Sequence, residues 1–199
     1  MAEVVDVKLV GDVDPASILP SLNAACPDGL TFTAGVLLGP EDAAITKFLT
    51  GARYLLTVPV DDLANRGGKP WLGDRIRGFL SEAQVAVQRT SGGISKPIDV
   101  RSHVRSARLD DGAAADLVRR AGLSANVVVI DVDVGLSGSG GVKVGEIIAA
   151  ITQITHLPHR GVRADLYCDR HGKRIDPLDT AALRTKRPDL PDCPPAAEL

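Results

Sequence analysis

The sequence has few aromatic residues. Phe, Trp and Tyr make up 3% of the 199 residues, whereas hydrophobic residues as a whole make up 44%. The core must therefore be built from Val, Ile, Leu and Ala. Because surfaces that bind single-stranded nucleic acid by stacking use exposed rings, this scarcity argues against a binding surface of that kind.

Long apolar runs and a cysteine framework are also missing. No run approaches the roughly 20 apolar residues that a membrane-spanning helix needs, and the acidic start of the chain does not resemble a secretory leader. The cysteines, Cys26, Cys168 and Cys193, are widely spaced and odd in number, so we expect no disulfide framework. These features predict a soluble cytoplasmic protein with no membrane contact.

Positive charge is concentrated in one part of the chain. The formal net charge is −2, but residues 1–65 hold 3 basic and 9 acidic side chains and residues 66–108 hold 9 basic and 3 acidic ones. A basic segment of this kind is typical of a contact with a polyanion or an acidic protein. A solvated face that offsets the acidic N-terminal third explains the same pattern.

The hydrophobic pattern predicts alternating strands and helices. Strands are expected at residues 3–10, 30–38, 53–60, 85–90, 127–134 and 162–168, and helices after the N-cap Asp14 and over residues 74–83 and 144–154. Residues 110–125 fit a surface helix or a loose insertion. We therefore predict an α+β protein with one or two ferredoxin-like split βαβ units and mostly antiparallel sheets.

The domain prediction follows from the same pattern. We expect a single α+β domain over residues 1–183, built as one unit or as two halves, residues 1–90 and 91–183. Residues 184–199 are rich in proline and charge, which predicts a disordered tail.

A glycine-rich turn precedes the helix predicted at residues 144–154. Gly138, Gly140 and Gly141 allow backbone N–H groups to converge, and a helix N-terminus adds positive potential, so a phosphate would fit there. The Lys-Ser/Thr pair of a P-loop is absent, and Lys143 lies beyond the glycines. A flexible strand-to-helix connection is the alternative interpretation.

Two pairs of metal-ligating residue types occur near the C-terminal end. His156 and His159 form one pair, and Cys168 and His171 form the other. Each pair has a spacing that zinc ligands use, but a predicted strand separates the pairs. We expect scattered surface histidines and a buried cysteine, with no metal and no cofactor.

Asp131 and Asp133 alternate within a predicted strand and so share one face. This spacing is compatible with paired carboxylates or a metal site. The favoured interpretation is the solvent face of an amphipathic strand. Neither these residues nor the serines and cysteines provide a complete catalytic set.

The basic segment contains a second glycine turn, and it is the strongest binding candidate. Arg89, Lys96 and Arg101 surround this turn, where they would reach phosphates, and Asp99 would orient Arg101 through a bidentate contact. Arg105 follows in the same segment. The alternative is a hairpin with a structural Asp–Arg pair.

At this turn the sequence resembles the radical-SAM-linked family, whose domain has no assigned function. The resemblance lies in Lys96, Asp99 and Arg101, in the order of motifs from residue 4 to residue 29, in the glycine-rich turn, and in residues 160–166. It covers roughly residues 3–180. The family's usual N-terminal basic segment, with a Ser-His-Leu-Asp-like motif, is not found in this chain, and neither is the cysteine motif of a radical SAM enzyme.

The resemblance implies an accessory role beside a radical SAM protein, with RNA as a further partner. We therefore expect a binding protein that contacts RNA or a partner enzyme through residues 66–108. The alternative is an enzyme acting on a phosphorylated or nucleotide-like substrate, using the turn at residues 138–141 with Asp131 or Asp133. The sequence does not determine the oligomeric state.

Overall fold

The computed structural model describes residues 3–11, 13–39, 44–123, 126–136, 141–170 and 172–179. The helices are α1 (Pro15–Ala25), α2 (Val60–Ala64), α3 (Gly68–Ser81), α4 (Ala115–Arg120) and α5 (Val144–Thr152). The strands are β1 (Gly51–Pro59), β2 (Ala86–Ser91), β3 (Ile94–Asp99), β4 (Val104–Leu109), β5 (Val127–Gly135), β6 (Arg160–Arg170) and β7 (Lys173–Ile175). Short 3-10 turns occur at Ile45–Lys47 and Arg101–His103.

The main sheet has five strands in the order β4-β5-β1-β6-β7, and all its pairings are antiparallel. The chain passes from β1 through α3 to β4, and β5 lies between these two strands. It passes from β5 through α5 to β6, and β1 lies between those two. These interlocked connections are a ferredoxin-like split βαβ arrangement, so the predicted α+β class is confirmed. Strands β2 and β3 form a separate two-stranded hairpin between α3 and β4.

Helices α3 and α5 cover one face of the main sheet. The apolar residues of α3 recur at helical spacing, and a compact isoleucine cluster on α5 meets them above the central strands. The buried residues of this core include Leu72, Ile76, Phe79, Ile147, Ile148, Ile151, Leu56, Val58, Ile130 and Val132. Aliphatic side chains dominate the core, as the shortage of aromatic residues predicts.

The opposite face of the sheet is divided into two parts. At one end α4 packs against the sheet, where Val118 and Ala114 join Leu55 and Val162 in a second apolar cluster. The buried carboxylate of Asp110 accepts hydrogen bonds from the backbone N–H groups that lead into α4. The predicted insertion therefore contains a helix that covers half of this face. The other half carries charged residues.

Two predicted strands are wrong. Residues 3–10 and 30–38 have no strand structure, and many of their apolar side chains, such as Val5, Val7 and Leu37, are exposed. Alternation alone makes a strand only where a neighbouring strand supplies ladder partners. Near these segments, Asn23 instead holds the backbone N–H and C=O of Phe32 with its side-chain amide.

Helix α1 begins as the sequence predicts. The side chain of Asp14 accepts a hydrogen bond from the backbone N–H of Ser17, and Pro15 occupies the first turn. Among the described residues, no helix is long and apolar enough to cross a membrane. The predicted tail at residues 184–199 lies outside the described residues.

Candidate functional site

Two glycines of adjacent strands make room for a large side chain on the charged half of the sheet. Gly51 of β1 pairs with Gly135 of β5 on one side and with Tyr167 of β6 on the other. A Cβ atom on Gly51 would lie 2.2 Å from the Tyr167 ring. The tyrosine therefore lies across β1, and its hydroxyl reaches the carboxylate of Asp133 on β5.

Asp131 holds two arginines from the strands on either side of β5. Nε and Nη2 of Arg53, on β1, donate to the two carboxylate oxygens at 2.7 and 2.9 Å. Nη2 of Arg108, on β4, donates to Oδ2 at 2.8 Å. We call Arg53 and Arg108 the first arginine pair. The fork of Arg53 matches the carboxylate in a bidentate contact, which fixes the plane of its guanidinium group.

Tyr167 and Asp133 hold two further arginines. Arg105 of β4 donates to the Tyr167 hydroxyl and to the carbonyl oxygen of Thr50, both at 2.9 Å. Arg174 of β7 donates to Asp133 and lies over the Tyr167 ring, with Cζ 4.3 Å from the ring centroid. Arg105 and Arg174 are the second arginine pair. A cation over the face of an aromatic ring is attracted by the ring quadrupole.

Burial and the neighbouring arginines shift the pKa of Asp131 in opposite directions. Burial alone would raise the pKa of its carboxyl group, but hydrogen bonds and charge from Arg53 and Arg108 together hold that pKa below its ordinary value. Burial, followed by the hydrogen bond to Asp133, raises the pKa of Tyr167. At neutral pH Asp131 is therefore an anion. Tyr167 carries a neutral hydroxyl group that donates a hydrogen bond.

The four arginines form the outer layer over the two aspartates. The side chains of Asp131 and Asp133 are 9% and 7% exposed, whereas those of the arginines are 35% to 60% exposed. A molecule approaching this half of the sheet meets these guanidinium groups before the carboxylates of Asp131 and Asp133. We call the surface formed by the two arginine pairs the arginine face. Its guanidinium groups are held in position by side chains beneath them, which suits them to bind an anion.

The expectation for the two aspartates is corrected by this arrangement. Asp131 and Asp133 do share one face, as their spacing predicts, but they are buried under arginines rather than exposed on a solvated strand face. The reason is that Arg53 and Arg108 come from the strands on either side of β5, and Arg174 comes from β7 at the edge of the sheet. Strand pairing brings these residues together from distant parts of the sequence, so β5 alone does not reveal them.

Arg89 is engaged in holding the hairpin to α5. Its Nε and Nη2 donate to the carboxylate of Glu146 at 2.7 and 2.6 Å, and Nη2 also donates to the carbonyl oxygen of Gly141. The same carboxylate accepts the backbone N–H of Lys143 and so caps the first turn of α5. Hydrogen bonding to Arg89 is the main cause that lowers the pKa of Glu146. Of the predicted glycine turn, Gly141 thus meets Arg89, while Gly138 and Gly140 lie outside the described residues.

The predicted bidentate contact between Asp99 and Arg101 is wrong. Oδ1 of Asp99 accepts the backbone N–H groups of Val85 and Arg101. The guanidinium group of Arg101 instead donates to the carbonyl oxygens of Val104 and Leu80. The Asx turn satisfies the carboxylate locally. The arginine joins the last turn of α3, where a cation is favoured, to the start of β4.

The remaining predicted residues are separated in space. Lys96 lies opposite Arg89 on the exposed hairpin, and Arg105 belongs to the second arginine pair. Of the predicted metal-ligating types, Nδ1 of His159 lies 2.8 Å from the carbonyl oxygen of Leu157, and Cys168 is buried in β6, where burial raises the pKa of its thiol. His156 is exposed and His171 is outside the described ranges. Within those ranges, no group of three His, Cys, Asp or Glu side chains is placed to hold a metal.

Three arginines of the arginine face and the tyrosine beneath it do not appear among the predicted binding residues. They are Arg53, Arg108, Tyr167 and Arg174. The acidic alternation at Asp131 and Asp133 within an apolar strand is the one sequence signal that points to them, because buried carboxylates need cationic partners. Which arginines supply that charge depends on strand order.

The fold and this face define an α+β protein with a ferredoxin-like sheet whose open half is covered by arginines. The family model described as "Uncharacterized protein conserved in bacteria (DUF2344)" matches residues 1–137, and the chain belongs to this family. No curated protein matches the chain. No solved structure matches it either.

Proposed function

We propose that this protein is a binding protein whose arginine face contacts the phosphate backbone of RNA. The observation that supports the proposal is the layering of the site, in which buried aspartates hold four partly exposed arginines on one surface. Arginine groups held in fixed planes are suited to phosphate oxygens. Arg105 and Arg108 also belong to the basic segment 66–108, so the charge pattern of the sequence supports the same proposal.

The enzyme alternative is less well supported. It needs Asp131 or Asp133 as a base or a metal ligand, but both carboxylates accept hydrogen bonds from arginines. It also needs the glycine turn at residues 138–141 as a phosphate site, and of this turn the structure describes only Gly141. We therefore propose binding rather than catalysis.

The resemblance to radical-SAM-linked proteins supports a second proposal, which concerns the cellular partner. A radical SAM protein in the cytoplasm would be the enzyme that this chain assists. Capture of such a protein by the tagged chain from its own cells, at low salt, is the test. Recovery of RNA without a radical SAM protein would leave the RNA proposal and remove this one.

RNA binding is tested by the anisotropy of a fluorescein-labelled RNA of mixed sequence, titrated with wild-type protein and with Arg108→Gln. We expect Arg108→Gln to weaken binding for every sequence and to reduce the magnitude of the slope of log affinity against log salt by up to about 0.7. The matched control is Arg77→Gln, because Arg77 is exposed on α3 and paired with Asp74. Equal affinity of wild-type protein and Arg108→Gln, or no RNA binding at all, would refute the proposal.

A further inference from the structure

The two arginine pairs are arranged along one strand. Asp131 and Asp133 are two residues apart on β5, and both face the same side of the sheet. Because an antiparallel strand rises about 3.4 Å per residue, the two carboxylates are about 7 Å apart along the strand. Asp131 fixes Arg53 and Arg108, and Asp133 fixes Arg174, so these positive groups are also repeated along β5 at about this interval. Arg105 lies further along the strand, beside Gly135.

This repeat matches the chemistry of a nucleic-acid strand. Consecutive phosphodiester groups of an extended single strand have a comparable separation, and each carries one negative charge. We propose that a single-stranded segment of RNA lies along β5, with consecutive phosphates on the first and second arginine pairs. This inference rests on the proposed function and specifies its ligand.

The surroundings of the arginine face favour a single strand over a duplex. Proteins that read double-stranded RNA by shape span about 16 base pairs, whereas here α4 occupies the other half of the same sheet face. A flexible single strand needs only the length of the two arginine pairs. Duplex RNA is therefore the competing ligand in the test.

Recognition of bases by a tyrosine platform is not part of the proposal. One side of the Tyr167 ring lies against Gly51, and Arg174 lies over the ring. The ring therefore positions Arg105 and Arg174 rather than offering an open surface for a base. Binding should then depend on phosphates and show little preference among base sequences.

Two exposed acidic residues compete with the proposed ligand: Asp165, which is opposite Arg53 in the pairing of β1 with β6, and Asp169. Asp169 lies at the rim of the second arginine pair, with its carboxylate 3.7 Å from Nη1 of Arg105. Its side chain is 37% exposed, so a phosphate on Arg105 would meet this negative charge. Asp169→Asn should therefore strengthen RNA binding, in the opposite direction to the loss of an arginine.

The experiment measures the affinity of a ten-nucleotide oligouridylate and of a ten-base-pair RNA duplex at several salt concentrations. For the single strand, two phosphate contacts predict a slope of log affinity against log salt of about −1.4, at about −0.7 for each phosphate. Arg108→Gln and Arg174→Gln should each reduce the magnitude of the slope by up to about 0.7, while Asp169→Asn should raise the affinity. Circular dichroism spectra of all three variants should match wild type.

The location of the contact is checked with modified oligouridylates. Replacing the two central phosphodiesters of a five-nucleotide strand by neutral methylphosphonates should lower its affinity at least as much as Arg108→Gln lowers that of the unmodified strand. If the duplex binds as tightly as the single strand and Arg108→Gln weakens both, the register along β5 is wrong, but RNA binding by the arginine face stands. If neither RNA binds, the proposed function fails as well. If Asp169→Asn weakens single-strand binding, Asp169 helps to hold the ligand, and the proposed arrangement at the second arginine pair is wrong.

Discussion

At the scale of single residues, Gly51 is the position on which the arginine face depends most directly. Its missing Cβ leaves the space that the Tyr167 ring fills. We expect Gly51→Ala to lower the free energy of unfolding by about 1–3 kcal/mol, the usual cost of forcing extra atoms into a packed site. Denaturant unfolding measures this change. RNA binding should weaken in the same variant, because Tyr167 positions Arg105.

The control for this prediction is the same substitution at an open position. A Cβ on Gly78, within α3, would meet no atom within 4 Å. Gly78→Ala should therefore raise the free energy of unfolding by about 0.5–1 kcal/mol, because alanine has the higher helix propensity. A comparable loss of stability in both variants would show that the space at Gly51 is not the cause.

The same residues show which parts of the site the sequence could reveal. The alternation of Asp131 and Asp133 correctly predicts a shared face, because strand periodicity is a local property. Their burial could not be predicted, because it depends on Arg53 and Arg174, which lie 78 and 41 residues away along the chain from their partners. Tyr167 was also out of reach, since its position depends on the small size of Gly51 on a neighbouring strand.

At the scale of secondary-structure elements, an ion pair joins the hairpin of β2 and β3 to α5. Isolated two-stranded hairpins are marginally stable in water, and Arg89 joins this one to the first turn of α5 through Glu146. We expect Arg89→Gln to speed hydrogen exchange of the amides in β2 and β3 while those of β1 and β5 stay protected. Exchange followed by NMR resolves these two groups of amides.

Lys96 provides the matched control for this element. It lies opposite Arg89 in the hairpin and is exposed, so Lys96→Gln removes the same charge without removing the contact to α5. Its exchange rates should resemble those of wild type. If both variants exchange alike, the hairpin is held by its backbone ladder and by Asp99 at its base rather than by Arg89.

The predicted strands that find a ladder partner in the structure are confirmed, and those that find none are not. The strands at residues 53–60, 85–90, 127–134 and 162–168 and the helix after Asp14 are confirmed within a few residues, because hydrophobic period and cap chemistry are local. Strand β4 was missed because it contains basic residues and because an irregularity in its pairing between Val104 and Ser106 breaks the alternation of its apolar residues. Residues 3–10 show the reverse case, since they alternate like a strand and pair with none in the described structure.

At the scale of the whole molecule, the two faces of the main sheet differ in composition. The face under α3 and α5 is aliphatic and contributes burial, and the other face combines the apolar cluster under α4 with the arginine face. Since β1 and β5 contribute to both faces, alternate residues of the same strand serve the core and the charged surface. A substitution on the arginine face can therefore change the stability of the whole sheet as well as binding.

This coupling predicts how stability depends on pH. Because the pKa of Asp131 is lowered in the folded protein, its charge stabilises the fold at any pH above the ordinary value of 3.8, and this contribution is lost as the pH falls toward the lowered value. Asp131→Asn should lower the free energy of unfolding by about 1–2 kcal/mol at neutral pH, less than a fully buried ion pair because the arginines are partly exposed. Denaturant unfolding at a series of pH values measures the difference from wild type.

The loss of stability caused by Asp131→Asn should itself depend on pH. It should shrink between about pH 5 and about pH 2, because wild-type Asp131 also becomes neutral there. Asp116→Asn is the control, since Asp116 is an exposed carboxylate paired with Arg119 and Arg120 on α4, and it should cost at most about 0.5 kcal/mol at any pH. A pH-independent difference for Asp131→Asn would mean that the asparagine disturbs packing and that the charge of Asp131 contributes little. In that case Arg53 and Arg108 would be positioned by the sheet itself, and RNA affinity should survive the substitution.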